Sequence, residues 1–152
     1  MSAEEVSFRW AGGDEDLQGA IRVRKVVFCE EQGVPVEEEL DGRDAQALHL
    51  VALAPGDERV VGTLRLLFDG DVVKVGRVAV ESSWRRRGIA GRMLLVALDR
   101  ARGLGSRSAR LAAQLEAVEL YEKAGFEVQS EVFEEAGIPH VWMGRRLDGL
   151  AR

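Results

Sequence analysis

Val78-Ala79-Val80-Glu81-Ser82-Ser83-Trp84-Arg85-Arg86-Arg87-Gly88-Ile89-Ala90-Gly91-Arg92 is the stretch on which the reading of this chain turns. An apolar strand end runs into a short loop, and a helix then opens on glycines and arginines. The first turn of a helix carries amide N–H groups with no intrahelical acceptor, and the positive end of the helix dipole points the same way. Small residues at 88, 90 and 91 let phosphates approach the backbone closely. Arg85, Arg86 and Arg87 add charge that can neutralise an anion. One reading is a pyrophosphate site. The other is a solvated arginine face beside glycines that only shape a turn. No Gly-Lys-Ser/Thr is present, so this is not a P-loop. Arg87-Gly88-Ile89-Ala90-Gly91 also lacks the Gly-x-Gly-x-x-Gly spacing of a Rossmann turn.

Working outward, Val72 to Val80 reads as the strand before the loop, and Gly88 to Arg102 as the helix after it. Ile89, Met93, Ala97 and Ala101 line one side of that helix, with Leu94 and Leu98 beside them. Ser108 to Ala113 reads as a buried strand. The strand–helix–strand unit over 72–113 requires a parallel pair with a right-handed crossover. Upstream, Leu48–Leu53 and Val60–Phe68 form a hairpin around Pro55-Gly56-Asp57, and Asp69-Gly70-Asp71 is a second tight turn. Val6 to Trp10 reads as a short strand. Asp14 to Glu31 reads as one helix, with Asp14 or Asp16 near its N-cap and Gly33 and Pro35 ending it. Val36 to Gln46 reads as a loop with a short helical turn. Glu116 to Lys123 reads as a helix stopped by Gly125 as its C′ residue. Phe126–Phe133 and Val141–Leu147 close the chain as strands. The expected fold is α/β (α+β): a mixed sheet of six to seven strands flanked by helices on both faces, in a single domain over residues 1–152.

The 152 residues, 46% of them apolar, suffice for one core. A net charge of −5 argues against nucleic acid as a partner. No apolar run approaches the roughly 18 residues of a membrane span, and Met1 to Glu5 lacks the pattern of a signal peptide. Cys29 is the only cysteine, which suits a reducing cytoplasm. Cys29, His49 and His140 lack zinc spacing, so no metal is expected.

Arg85-Arg86-Arg87-Gly88-Ile89-Ala90 resembles motif A of the GNAT acetyltransferases, Gln/Arg-x-x-Gly-x-Gly/Ala. Gln114-Leu115-Glu116-Ala117-Val118-Glu119-Leu120-Tyr121-Glu122-Lys123-Ala124-Gly125-Phe126 resembles that family's Asn-x-x-Ala-x-x-Leu-Tyr-x-x-x-Gly-Phe. Either motif alone is unspecific; together they are specific, and the likeness runs from about Val6 to Leu147. Val27-Phe28, Glu31-Gln32-Gly33-Val34-Pro35 and Ala136-Gly137-Ile138-Pro139-His140 further resemble the bacterial ElaA/YjcF-like branch. Gln114 departs from the family's usual Asn.

The resemblance implies a GNAT fold and an N-acetyltransferase that passes the acetyl group of acetyl-CoA directly to an amine of a small molecule or peptide. It implies that the backbone of Val78, Ala79 and Val80 pairs with the pantetheine arm like an added strand. Arg85, Arg86, Arg87, Gly88, Ile89, Ala90 and Gly91 would hold the pyrophosphate, and Gln114 would contact the pantetheine. Tyr121 would be the general acid. A thiol resembling free cysteine has a pKa of about 8.5 and tyrosine about 10, so that donation is slightly uphill unless the site lowers the tyrosine's pKa. An amine near 10.4 must lose a proton before attack. His140 and Glu31 are the preferred bases; Glu30, Glu134, His49 and a water relay remain alternatives.

Other features read as plain structure. Cys29 is a small core residue, Trp10, Trp84 and Trp142 are core or interface anchors, and Glu37-Glu38-Glu39 is a solvated face. A homodimer through the sheet edge or the tryptophans stays open. A non-catalytic acyl-CoA sensor would keep the arginine loop and need no Tyr121. Arg24 to Phe28 resembles acyl-homoserine lactone synthases, a third chemistry on the same scaffold.

Overall fold

The computed structural model describes residues 5–148. Among them the order is β1 (Ser7–Trp10), α1 (Asp14–Arg24), α2 (Val36–Glu39), β2 (Leu48–Leu53), β3 (Val60–Asp69), β4 (Val72–Val80), α3 (Ile89–Gly103), β5 (Ser108–Gln114), α4 (Val118–Lys123), β6 (Glu127–Val128), β7 (Phe133–Glu135) and β8 (Ile138–Arg146). The strands hydrogen-bond in the order β1-β2-β3-β4-β5-β8-β6, with β7 on β8. The sheet has eight strands rather than six to seven, because the C-terminal segment divides differently from its pattern.

The stretch 126–133 reads as one strand but breaks after Val128 and resumes at Phe133. The reason is a side chain. The Ser130 hydroxyl accepts the Trp142 backbone N–H at 2.9 Å and donates to the Glu131 carbonyl at 2.9 Å. A hydroxyl that replaces a backbone acceptor interrupts the ladder. The chain then turns through Ala136 and Gly137, both left-handed at φ 54° and 76°, and β8 begins at Ile138.

Residue contacts divide the described chain into two units: 5–65 with 77–93, and 66–76 with 94–148. In the first, β1 pairs antiparallel with β2, from Ser7↔Leu53 to Trp10↔Leu50. Ala20, Val23 and Val27 pack with Val51, Leu53, Val60 and Ala79, and Phe28 flanks them. Burial of each larger apolar side chain there contributes about 2 kcal/mol. A Cβ on Gly19 would meet Val60 Cγ2 at 2.6 Å, so only glycine lets α1 approach this closely.

The helix expected over 14–31 is α-helical only to Arg24; Lys25–Glu31 widens into a π-helical segment. A π-helical turn takes one residue more than an α-helical one, and seven residues are too few for the changed period to show in the apolar pattern. The N-cap is Gly13, directly before Asp14, and it makes no side-chain cap hydrogen bond. Asp14, Glu15 and Asp16 instead occupy the first turn, where the dipole favours them. Asp16 accepts two hydrogen bonds from Arg9.

In the second unit β5 pairs antiparallel with β8 from Ser108↔Arg146 to Gln114↔His140. β4 and β5 are parallel, as the crossover demands, and their register runs only from Val72↔Ser108 to Lys74↔Arg110. Ala109, Leu111, Ala113, Val141, Met143, Phe126 and Leu147 are all buried. In α3 every residue of the expected apolar face is buried: Ile89, Met93, Leu94, Ala97, Leu98 and Ala101.

Candidate active site

Within the first unit, β4 ends at Val80 and the chain passes through a short 3-10 turn, Ser82–Trp84. Two left-handed residues follow, Arg86 at φ 63° and Gly88 at φ 79°. The Arg92 N–H bonds to the Gly88 carbonyl at 3.1 Å, which makes Gly88 the cap of α3. The amides of Ile89, Ala90 and Gly91 thus precede the first intrahelical bond. A non-glycine residue in the left-handed region is costly, and Arg86 adopts it directly before the helix opens.

The arginines are not equivalent. Arg85 Nε donates to the Val80 carbonyl at 2.8 Å, and its Nη2 pairs with Glu31 at 2.7 Å. Arg87 lies over the Trp84 ring at 5.0 Å and donates to the Ser83 carbonyl at 3.2 Å. Arg85 therefore bridges the strand end to the end of the π-helical turn. Glu31, an expected base, is exposed and held by a cation. Val80, expected to offer its backbone to a ligand, already has its carbonyl occupied.

Glu81 explains why the loop starts where it does. It is buried and accepts from Arg59 at 2.6 Å on both carboxylate oxygens and from Arg22 at 2.8 Å. Its N–H bonds to the Val61 carbonyl at 2.9 Å. Sequence reading gave Glu81 no role.

A larger ionic cluster was also unforeseen. Arg24, 1% exposed, bonds Glu39 at 2.9 Å and Asp44 at 2.8 Å. Arg65 bonds Asp41 and Asp44, and Arg77 bonds Glu39 at 2.9 Å and Asp41 at 3.3 Å. Glu39 is 2% exposed, so the Glu37–Glu39 stretch is not simply a solvated face. One signal was present: Arg24 shares the apolar stripe of Ala20 and Val27, and a charge there requires a partner. Arg77 takes φ 53° within β4, three residues before Val80. Hydrogen bonds from Arg65 hold the Asp41 carboxyl well below its ordinary range. For Asp44, burial pushes upward but Arg24 and Arg65 outweigh it, so its pKa is also lowered. His49 is buried with Nε2 2.9 Å from the Asp44 carbonyl, which makes it structural.

Within the second unit, Gln114 is half-buried at the end of β5 and lies opposite His140 in the register. His140 is buried, and its Nδ1 is 2.7 Å from the Ile138 carbonyl. A carbonyl can only accept, so Nδ1 bears the hydrogen, and in the neutral ring the lone pair is on Nε2.

Tyr121 is set by the cap of α4. The Phe126 N–H bonds to the Tyr121 carbonyl and the Gly125 N–H to the Glu122 carbonyl, each at 3.0 Å, with Gly125 at φ 92°. This is a Schellman motif, and its usual apolar contact is the Tyr121–Phe126 edge-to-face pair at 6.2 Å. Tyr121 is buried, and burial pushes its pKa far up. That is opposite to the lowering that easy proton donation would need. Burial also pushes the Cys29 thiol up, consistent with an unreactive residue. Among the described residues no group of acidic, histidine or cysteine side chains could hold a metal ion, and no helix is long and apolar enough to cross a membrane.

A family model described as an acetyltransferase (GNAT) domain matches residues 16–147. The uncharacterised N-acetyltransferase YjcF of Bacillus subtilis (strain 168) is 38% identical over 135 residues, covering 88% of this chain and 94% of that protein. Among solved structures, an acyl-CoA N-acyltransferase from Pseudomonas aeruginosa matches with a TM-score of 0.81 and 29% identity, over 92% of this chain and 99% of its own. Escherichia coli ElaA matches with a TM-score of 0.81 and 25% identity, over 92% and 99%. A model match across most of the chain, joined to relatives aligned nearly end to end, places this protein in the GNAT family of acyltransferases, in the branch of YjcF and ElaA.

Proposed function

We propose that this chain is an acetyl-CoA-dependent N-acetyltransferase that acts in the cytoplasm on an amine acceptor by direct attack. One observation carries the reading: the loop at 85–88, with Arg86 and Gly88 left-handed, opens α3 with amides that have no intrahelical acceptor. Those amides and the helix dipole suit a diphosphate. Arg86 supplies charge, while Arg85 is chiefly a brace between Val80 and Glu31. The backbone of Val78 to Val80 would align the pantetheine arm, consistent with a β4–β5 ladder that ends at Lys74↔Arg110. A backbone N–H near Val80 would polarise the thioester carbonyl. Gln114 would contact the pantetheine.

His140 is the preferred base, because Nδ1 is committed and Nε2 can accept the ammonium proton. Glu31 is less suited, being exposed and paired with Arg85. The free amine then forms its C–N bond as the C–S bond breaks, and the surplus proton on the new amide nitrogen passes to the departing thiolate. Tyr121, with its pKa raised by burial, stays protonated and stabilises the departing thiolate as a hydrogen-bond donor. Full proton transfer from it would be more uphill than an ordinary tyrosine's.

Acetyl-CoA titration followed by thermal melting tests the first step. At 100 times the dissociation constant, binding adds about 2.7 kcal/mol, or roughly 5–10 °C for a chain of this size. Thioester cleavage against an amine panel tests the second. No melting shift at millimolar acetyl-CoA would sink the proposal.

A further inference from the structure

One face of the second unit's strands carries a row of side chains that the motifs leave aside. Directly opposed residues on paired strands share a face. The registers Lys74↔Arg110, Arg110↔Gly144, Ala112↔Trp142, Gln114↔His140, Phe133↔His140 and Glu135↔Ile138 therefore set Lys74, Arg110, Trp142, Phe133, His140 and Glu135 together. The alternate residues Ala109, Leu111, Ala113, Val141 and Met143 are buried on the other face. The row itself is open enough to meet a ligand: Trp142 and Phe133 are half-buried, and Arg110 and Glu135 are exposed.

The row is polarised. The Phe133 ring stacks on His140 at 5.9 Å and on Trp142 at 5.6 Å, with planes 25° and 24° apart. The Arg110 guanidinium lies 4.1 Å over the Trp142 ring, and Lys74 Nζ lies 5.4 Å over it. A guanidinium stacked on an indole keeps its in-plane N–H donors for an oxyanion and is already ordered to grip it. No carboxylate among the described residues forms an ion pair with Arg110. At the opposite end stand the lone pair of His140 Nε2 and the negative charge of Glu135, which suit an ammonium.

We infer that the acceptor is an amine bearing a carboxylate or phosphate at the far end of an apolar body. Its oxyanion sits on Arg110 beside Trp142, its body lies along Trp142 and Phe133, and its amine reaches His140. This rests on the proposed role of His140 as base. Arg110 and Gln114, the residue opposite His140, are four positions apart on β5, about 13 Å along the strand. Allowing for side-chain reach, amine and oxyanion are separated by roughly 10 Å, which favours an extended ω-amino acid or aminoalkyl phosphate over a compact α-amino acid.

Matched sets test this: hexylamine and octylamine, the corresponding ω-amino carboxylates, and the corresponding aminoalkyl phosphates. Acetyl-transfer kcat and KM are measured for the unmodified protein, Arg110→Met and Arg110→Lys. Binding of the same amines, and separately of acetyl-CoA, is followed by calorimetry. At least one oxyanion-bearing amine should show a KM or dissociation constant at least tenfold below its parent. Arg110→Met should erase that gap and leave kcat, the parent amine's KM and acetyl-CoA affinity within about twofold, while Arg110→Lys retains part of it. The winning series separates carboxylate from phosphate. No preference for either oxyanion, or a preference that survives Arg110→Met, overturns the inference. Absent acetyl-CoA binding counts against the acetyltransferase reading alone, because the calorimetric comparison of amines still decides the acceptor question.

Discussion

Tyr121 owes its position to the residues that follow it. Gly125 takes a backbone angle that side-chain-bearing residues avoid, which lets the Phe126 N–H return to the Tyr121 carbonyl and brings the two rings together. The Leu-Tyr-x-x-x-Gly-Phe spacing is thus a helix-cap rule as much as a family signature. Gly125→Ala should cost about 1–3 kcal/mol, because its Cβ would also meet Arg145 Nη1 at 2.9 Å. Chemical denaturation measures that loss. Tyr121→Phe keeps the ring pair and removes only the hydroxyl. Turnover should fall about 10²- to 10³-fold, the cost of one lost hydrogen-bond donor to a developing anion, with acetyl-CoA affinity retained. An unchanged kcat would assign Tyr121 to packing alone.

At the scale of elements, the loop into α3 poses the question of amide against side chain. If the amides do the binding, Arg86→Gly should leave acetyl-CoA affinity within a fewfold and relieve about 1 kcal/mol of left-handed strain. Gly88→Val should weaken binding tenfold or more, because φ 79° excludes a β-branched residue. Isothermal titration of the two variants gives the answer. The helix at 89–103 was legible because its burial follows a plain 3.6-residue period. The break after Val128 was not, because it depends on one serine hydroxyl meeting an amide from β8. The π-helical turn at Lys25–Glu31 was hidden for a different reason: its seven residues are too few for a change of period to show.

For the whole molecule, the ionic cluster of Arg24, Glu39, Asp41, Asp44, Arg65 and Arg77 links stability to pH. Asp41 and Asp44 titrate lower folded than unfolded, so their stabilisation is complete above the unfolded value of about 3.9 and is lost as pH falls through the folded one. Stability should therefore drop steeply on acidification below about pH 4, and Asp41→Asn should flatten that drop; melting temperature against pH records both. Arg24→Met should be far harsher. It leaves the buried Glu39 with Arg77 as its remaining guanidinium and takes a partner from Asp44, at a cost of up to about 3–5 kcal/mol, readable as a loss of folded protein at ambient temperature.

The amino-acid order by itself determined what depends on near neighbours: helix and strand periods, the turns at Gly56 and Gly70, the cap at Gly125 and the glycine-arginine opening of α3. These are set by backbone sterics and spacing over a few residues. Tertiary structure alone decided which charges meet. Glu81 lies far along the chain from Arg22 and Arg59, Glu39 from Arg77, and Arg110 from Trp142. An ion pair or a stacked cation carries no periodic signature, because its partners are chosen by the fold's geometry and by the cost of leaving a buried charge alone.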